Sequence, residues 1–261
     1  MRGDRLWLWI LTLVRMTGGS LNDGWCVSAT GVFGAAAMID DDKKAAAVAA
    51  VAEIRDGMLV GLGTGSTAAF AIRALGERVA DGLQIRAVVT SDASGKLARE
   101  VGIDILDFAA IAHVDLTIDG ADEIDSRCFA IKGAGGAMLR EKIVAASSAR
   151  MVVIADGSKR VERIGAAKLP VEVLPFAIGY VMRVLTDMGA APIIRDNYRT
   201  DQGNHVVDCH FTTLEDPRAT AATLSAIPGI LGHGLFLDEV DAAYIATNGV
   251  VTRLERTGAS A

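Results

Sequence analysis

Residues 114–142 read VDLTIDGADEIDSRCFAIKGAGGAMLREK, and this stretch says most about the fold and its site. Its first five residues predict a buried strand, and the carboxylates of Asp119 and Asp122 follow as soon as that strand ends. Lys132, a glycine cluster and the start of a helix that carries Glu141 come next. Opposite charges that collect just after a strand indicate a reaction site at the edge of a sheet.

A second glycine loop lies upstream, where residues 60–67 read VGLGTGST. The pattern predicts a strand that runs into a helix whose first turn carries hydroxyl groups, and such a helix start offers N–H groups to a phosphate. The loop is not a dinucleotide-binding loop, because Ala68 replaces the third glycine, nor a P-loop, because no Gly-Lys-Ser/Thr follows. The alternative is a tight turn with a Ser or Thr cap.

Strand and helix patterns alternate over the first part of the chain and predict a Rossmann-like α/β domain with a parallel sheet. Reactive groups would then meet where the strands end, since ligands bind at that edge of an open parallel sheet. The predicted strands are 58–62, 84–90, one that starts at 104–105, 114–118 and 151–155, and the predicted helices are 40–56, 66–79 and 94–101.

The pattern changes after Pro170. The order strand, helix, strand, strand, helix, strand predicts a smaller ferredoxin-like α+β domain over residues 168–237. Residues 38–167 plus 238–256 would form the Rossmann-like catalytic domain. The predicted elements of the smaller domain are the strands 171–176, 192–195, 205–211 and 234–237 and the helices 177–188 and 218–227.

The composition is that of an ordinary globular protein, with 261 residues of which 51 % are hydrophobic and 22 % charged. A net charge of −6 and an isoelectric point near 5.3 disfavour a nucleic-acid surface. Cys26, Cys128 and Cys209 are too few and too scattered for a disulfide framework or a zinc site. We therefore expect a cytoplasmic protein.

The first 37 residues differ from the rest, because they hold all three tryptophans and an almost wholly apolar run at 6–14. This run is too short to span a bilayer. The small residues at 34–37 lie farther from it than a cleavage site should, which disfavours a secretion signal. We interpret residues 1–37 as an extension, with translation starting at Met38, and expect no membrane partner. A disordered segment or an added helix is the alternative.

The acidic residues after the strand at 114–118 allow three interpretations. Nearby like charges would raise the pKa of Asp119 or Asp122, so that one carboxyl both donates and accepts protons. The second interpretation is an Asx-turn with a helix cap, to which a solvent-exposed Glu123 would belong. A magnesium site ranks lowest, since the charge of Lys132 would compete with the ion.

Lys132 opens the cluster Gly133-Ala134-Gly135-Gly136, whose backbone can approach a ligand closely. Glu141, in the helix that follows, is the candidate base. The alternative for Glu141 is a surface ion pair within Arg140-Glu141-Lys142, which in an isolated helix would be the better interpretation.

Six separated motifs make the chain resemble the type A family of ribose-5-phosphate isomerases, from about Asp40 to about Arg253. The motifs are GTGST at 63–67, SDAS at 91–94, DGADE at 119–123, KGAGG at 132–136, REK at 140–142 and ADGSK at 155–159. A single glycine motif would be weak, whereas six in the family's order are specific.

The resemblance implies an aldose–ketose isomerase of the pentose phosphate pathway that interconverts ribose 5-phosphate and ribulose 5-phosphate without a metal or other cofactor. It assigns proton transfer to Glu141, with Asp119, Asp122 and Lys132 as the other catalytic residues and Asp119 favoured for ring opening. Lys43 or Lys44 would lie near the phosphate, and a homodimer or homotetramer is expected. The implied substrate-binding residues are Thr64, Gly65, Ser66, Thr67, Asp119, Gly120, Ala121, Asp122, Lys132, Gly133, Ala134, Gly135 and Lys159.

Other functions are compatible with a fold of this kind, because a fold alone does not fix the function. A coenzyme A transferase would use a glutamate as nucleophile and be trapped by hydroxylamine. An amino-sugar phosphate deaminase would release ammonia. A sugar-phosphate sensor of a regulator would normally carry a basic helix-turn-helix, and residues 1–37 show none.

Overall fold

The computed structural model describes residues 30–257, with side chains from residue 38 onward. Residues 37–257 belong to one compact unit. The predictions on residues 1–29 lie outside the described part. None of the described helices is both long and apolar enough to cross a bilayer.

The helices and strands follow one another along most of the chain. The helices are α1 (Thr30–Val51), α2 (Ser66–Ala80), α3 (Asp92–Glu100), α4 (Met138–Ala146), α5 (Ile178–Asp187) and α6 (Pro217–Ala226). The strands are β1 (Leu59–Leu62), β2 (Arg86–Val89), β3 (Leu116–Gly120), β4 (Glu123–Ile124), β5 (Ala130–Ile131), β6 (Met151–Asp156), β7 (Leu169–Val173), β8 (Ala190–Ile194), β9 (His205–Phe211), β10 (Ile230–His233), β11 (Leu235–Phe236), β12 (Ala242–Thr247) and β13 (Val250–Glu255).

The largest sheet has six strands in the order β13-β12-β6-β3-β1-β2. All neighbouring pairs in it are parallel except β12 with β13. Both faces are covered, since every residue of β6 is buried, as expected for a parallel strand flanked by helices. The predicted Rossmann-like sheet is therefore confirmed.

The second sheet has four antiparallel strands in the order β10-β7-β9-β8. With α5 between β7 and β8 and α6 between β9 and β10, it has the order and pairing of a ferredoxin-like α+β fold. The apolar side chains of Val181 and Leu185 on α5 are fully buried against this sheet. This part of the predicted fold is confirmed as well.

The prediction for the last strand of that sheet, at 234–237, is wrong. The last strand of the four-stranded sheet is instead β10, at Ile230–His233. The chain then continues into a small third sheet, in which β11 pairs with β5. The crossing occurs at Gly234, whose N–H donates to the carbonyl of Pro170 and whose carbonyl accepts from the N–H of Lys132. A side chain at Gly234 would overlap the Lys132 carbonyl, so the chain can cross there only as glycine.

Two smaller predictions also fail. The strand predicted at 104–105 is a single bridge between Ala87 and Ile105. The helix predicted from Asp40 to about residue 56 begins at Thr30 and ends at Val51. The acidic residues at 40–42 lie inside α1, where Asp42 is buried and accepts hydrogen bonds from the N–H groups of Asn248 and Gly249.

The third sheet, in the order β11-β5-β4, joins the two predicted domains. Phe129 and Ile131, which belong to the predicted Rossmann-like domain, also pack into the core of the antiparallel sheet, beside Val171 and Val207. The division of the chain at 167/168 and 237/238 stays a prediction.

Candidate active site

A cavity of about 440 Å³ opens where β1, β3 and β6 end. Its volume lies in the range usual for small-molecule sites. The predicted substrate-binding residues all line it except Asp119, which is buried behind its wall. The lining residues are Ile39, Lys43, Thr64, Gly65, Ser66, Thr67, Gly120, Ala121, Asp122, Lys132, Gly133, Ala134, Gly135, Glu141, Asp156, Ser158 and Lys159.

The start of α2 has the features of an anion-binding site. Its N-cap residue is Gly65, with φ of +108° and no side-chain cap, so the alternative of a Ser or Thr cap is wrong. The first N–H groups of α2 are therefore open to a ligand, and the helix dipole favours negative charge there. Ser66 and Thr67 add hydroxyl groups at the same place.

The loop that leads to α2 fits tightly against β3. A side chain at Gly63 would overlap the Asp119 carboxylate. The N–H of Thr64 donates to Asp119 Oδ1 at 3.0 Å, and its hydroxyl lies 2.8 Å from that of Thr90. Ser94 Oγ donates to the Gly63 carbonyl at 2.7 Å, so the SDAS motif supports this loop.

Three charged side chains meet at the wall of the cavity, and two of them, Lys132 and Glu141, line it. Lys132 Nζ lies 2.8 Å from Asp119 Oδ2 and 3.2 Å from Glu141 Oε2 and donates to the Gly120 carbonyl at 2.5 Å. Lys132 and Glu141 are only 2 % and 3 % exposed, and Asp119 is fully buried. The two carboxylate oxygens that face Lys132 have no other donor within residues 38–257.

Burial sets the protonation of this cluster. It raises the pKa of Asp119, against the opposite effect of Lys132. It also raises the pKa of Glu141 to about 8, and the charge of Asp119 adds to that rise. Burial alone would lower the pKa of Lys132, but its two carboxylate partners outweigh this effect and raise it. Near neutral pH the cluster can therefore both give and take a proton.

The two remaining acids after β3 differ from each other. Asp122 lines the cavity, and its Oδ2 accepts from the N–H of Ala134 at 2.9 Å. Glu123 was expected to be exposed, and this is wrong: it is buried and accepts from the N–H groups of Gly165 and Ala167 at 2.7 and 2.6 Å. It holds the loop before β7 and does not line the cavity.

The alternative interpretation of Glu141 as part of a surface ion pair is wrong. Arg140 pairs with Asp92 and Asp201, and Lys142 pairs with Glu239 at 2.8 Å. Glu141 lies on the face of α4 that turns toward Lys132. A helical period of 3.6 residues sends neighbours in the sequence in different directions.

Two further lysines approach the cavity. Lys43 from α1 and Lys159 from the turn after β6 both line it, whereas Lys44 is exposed and does not. Asp156, Ser158 and Ile39 also line the cavity and were not singled out from the sequence. The ADGSK motif contained a signal for the first two, because β6 ends at this edge of the sheet.

No group of three or more His, Cys, Asp or Glu side chains is arranged to hold a metal ion within the described residues. An α/β protein that combines an open helix N-terminus with a buried acid–lysine–acid cluster has the site of an enzyme that moves protons on a small anionic substrate.

Comparisons with known proteins identify the family. The sequence model described as Ribose 5-phosphate isomerase A (phosphoriboisomerase A) matches residues 86–249. Ribose-5-phosphate isomerase A of Sphingopyxis alaskensis is 51 % identical over 214 residues, which cover 80 % of this chain and 94 % of the relative. That of Roseiflexus castenholzii is 47 % identical over 226 residues, covering 84 % of this chain and 97 % of the relative.

Solved structures agree. Ribose 5 phosphate isomerase A from Neisseria gonorrhoeae aligns with a TM-score of 0.80 at 38 % identity, covering 83 % of this chain and 97 % of the other. A D-ribose-5-phosphate isomerase in complex with phospho-erythronic acid aligns with a TM-score of 0.81 at 34 % identity, covering 84 % of this chain and 99 % of the other. The chain belongs to the ribose 5-phosphate isomerase A family.

Proposed function

We propose that this protein interconverts D-ribose 5-phosphate and D-ribulose 5-phosphate through an enediolate. One observation carries the proposal: Glu141 and Lys132 reach, from a buried cluster, the same cavity that holds the open start of α2. One end of the cavity suits a phosphate, and the other suits proton transfer. The family assignment makes the transferase, deaminase and sensor alternatives unfavoured.

The reaction needs a base and a stabilised oxygen at the same time. The C2 proton of the open-chain aldose is too weakly acidic to leave unless charge on the carbonyl oxygen is stabilised. Glu141 takes this proton. The electron pair of the broken C2–H bond forms the C1–C2 double bond, and the π electrons of the C1 carbonyl move to O1, which gains the negative charge. General base catalysis supplies roughly 10²- to 10⁴-fold in rate, and electrostatic stabilisation of the oxyanion a comparable factor.

The second half of the reaction reverses these roles. O1 takes up a proton and O2 loses one, so that C2 becomes the carbonyl carbon and Glu141 returns its proton to C1. Lys132 and Asp122 line the cavity and are placed to serve these oxygens. Asp119 does not line the cavity, so it would act by holding Lys132, and Asp122 is the better candidate for ring opening.

The phosphate is assigned to the other end of the cavity. The N–H groups at the start of α2, the hydroxyls of Ser66 and Thr67, and the ammonium of Lys43 surround this space. Backbone donors and a helix N-terminus favour a dianion over a neutral sugar. This requirement distinguishes a phosphorylated substrate from free ribose.

The test is an assay of the full chain with ribose 5-phosphate in the presence of EDTA. We expect ketose formation, inhibition by phospho-erythronic acid, and no turnover of unphosphorylated ribose. Parallel reactions with glucosamine 6-phosphate and with hydroxylamine plus an acyl-coenzyme A examine the rival enzymes. Ammonia release or a trapped acyl group, without ketose formation, would contradict the proposal.

The protein is further proposed to act as a homodimer or homotetramer in the cytoplasm. Exposed apolar side chains at Leu174, Phe176 and Tyr180 support self-association, with Phe176 96 % exposed. Light scattering of the purified protein gives the number of subunits, and a monomer at micromolar concentration would contradict this part.

A further inference from the structure

The loop from Gly133 to Gly136 is held from outside by residues that were not singled out in the sequence. Ala134 of this loop lines both the candidate active site and a second cavity of about 460 Å³, as do Asp122 and Lys159. Gly133 and Gly136 have φ of +105° and +76°, a backbone conformation that only glycine adopts at low cost. Such a loop has little rigidity of its own, so its shape depends on its partners.

Three successive carbonyl groups of this loop accept hydrogen bonds from the segment that joins β8 and β9. Arg195 Nη2 and Nη1 donate to the carbonyls of Gly133 and Ala134 at 3.0 and 2.9 Å. The hydroxyl of Tyr198 donates to the carbonyl of Gly135 at 2.9 Å.

Arg195 is itself fixed. Its guanidinium forms a two-point ion pair with Asp208 at 2.8 and 2.6 Å, and both side chains are largely buried. The planar guanidinium can hold a carboxylate and two carbonyls in one rigid arrangement, which a lysine cannot. The Tyr198 ring fills the space beside Gly136, where any side chain would overlap it.

These contacts act on the cavity through the peptide groups. In the peptide that joins Gly133 and Ala134, the carbonyl is held by Arg195 and the N–H donates to catalytic Asp122 at 2.9 Å. A trans peptide directs its N–H opposite to its carbonyl, so the bond from Arg195 to the next carbonyl turns the N–H of Gly135 to the other side. Within residues 38–257 that N–H has no protein acceptor, and Gly135 lines the active-site cavity.

We infer that Arg195 and Tyr198 are positioning residues for the isomerisation, an inference that rests on the proposed function. They fix the Asp122 carboxylate and present the Gly135 N–H to the substrate oxygens on which charge develops. Their removal lowers kcat more than it weakens substrate binding, because the phosphate is held by the separate loop at 64–67.

The test compares Arg195→Lys and Tyr198→Phe with the matched control Arg218→Lys. Arg218 forms an equally short two-point pair with Asp238 at 2.8 and 2.6 Å but does not contact the loop. We expect kcat to fall roughly 10- to 100-fold in the first two variants while KM changes much less, the size usual for a misplaced reacting group. The control keeps the parent's kcat. Parental kcat in both loop variants, or an equal fall in the control, would overturn the inference.

Hydrogen exchange gives a second readout that does not depend on activity. The peptide containing residues 133–136 should exchange faster in Arg195→Lys and Tyr198→Phe than in the parent and the control, at unchanged thermal midpoint for Tyr198→Phe. Unaltered exchange would overturn the inference. An inactive parent with accelerated exchange in the variants would instead contradict the proposed function alone.

Discussion

Glu141, Lys132 and Asp119 bring two carboxyl groups and one ammonium group together in a buried cluster. Two neighbouring carboxylates cannot both ionise at low cost, and a single lysine compensates one of them. One of the two carboxyl groups therefore keeps a proton, and the isomerisation can use this proton. This arrangement depends on burial as much as on residue type, which is why the sequence alone left the surface ion pair of Glu141 open.

The raised pKa of Glu141 predicts the pH dependence of the isomerisation. The base must be ionised in the free enzyme, so kcat/KM should rise with pH and level off above a midpoint near 8. Initial rates at low concentrations of ribose 5-phosphate, measured from pH 5 to 10, give this midpoint. A plateau already reached at pH 5, as for an exposed glutamate, would contradict the assigned environment.

The same raised pKa predicts an effect on stability. Glu141 is protonated in the folded state up to about pH 8, whereas its pKa in the unfolded chain is the ordinary value near 4.5. The unfolded state therefore ionises first, and stability is lost as pH rises from 4.5 to 8. Glu141→Gln removes this loss, so its thermal midpoint should exceed the parent's increasingly over that window. A difference independent of pH would argue against a buried acid.

The glycine loops show how single elements build the site. β1 ends at Leu62, and the chain must turn into α2 within three residues while Asp119 occupies the space beside Gly63. This turn leaves the start of α2 open and at the same time gives Asp119 two backbone donors, Thr64 and Gly120. The Asp119 carboxylate thus contacts both the loop before α2, at the phosphate end of the cavity, and Lys132, at the reactive end.

Gly63→Ala tests this element. The added methyl group would overlap the Asp119 carboxylate, so we expect a loss of about 1–3 kcal/mol in the free energy of unfolding together with lower kcat. Gly179→Ala in α5 is the control, because nothing lies within 4 Å of its new methyl group, and it should be neutral or more stable. Urea denaturation measures both, and equal stabilities would contradict the close fit.

Elements with a strong local pattern were predictable from the sequence. The parallel strands 58–62, 114–118 and 151–155 and the order of the smaller sheet all follow from apolar runs and glycine turns. The strand 234–237 failed because its partner is chosen by tertiary contacts: Leu235 and Phe236 pair with Ile131 and Ala130, about a hundred residues away. Local periodicity carries no information on that choice.

At the scale of the whole molecule, the site draws on distant parts of the chain. The candidate catalytic residues come from one segment, 119–141, so the sequence alone could indicate that they lie together. Arg195 and Tyr198 contact the loop at 133–136 across some sixty residues, and no spacing in the sequence relates the two segments. The larger sheet and the ferredoxin-like sheet lie in one compact unit, and the second supplies side chains that hold a loop of the cavity.

A shortened chain that begins at Met38 should fold and turn over as the full chain does, because it keeps the α1 residues Ala46, Ala47, Ala50 and Val51, which are buried in the core. Asp42 and Lys43, which reach Gly249 and the cavity, are kept as well. Thermal midpoint and kcat of the two forms give the comparison, and insolubility of the shorter form would show that residues 1–37 are needed.

In the proposed reaction Glu141 carries the proton between C2 and C1. The direct measurement is kcat of Glu141→Gln with ribose 5-phosphate, beside Glu239→Gln, a glutamate that pairs with Lys142 outside the cavity. We predict a fall of at least about 10²-fold for Glu141→Gln with calorimetric affinity for ribose 5-phosphate retained, and parental kcat for Glu239→Gln. Parental kcat in Glu141→Gln would contradict the account.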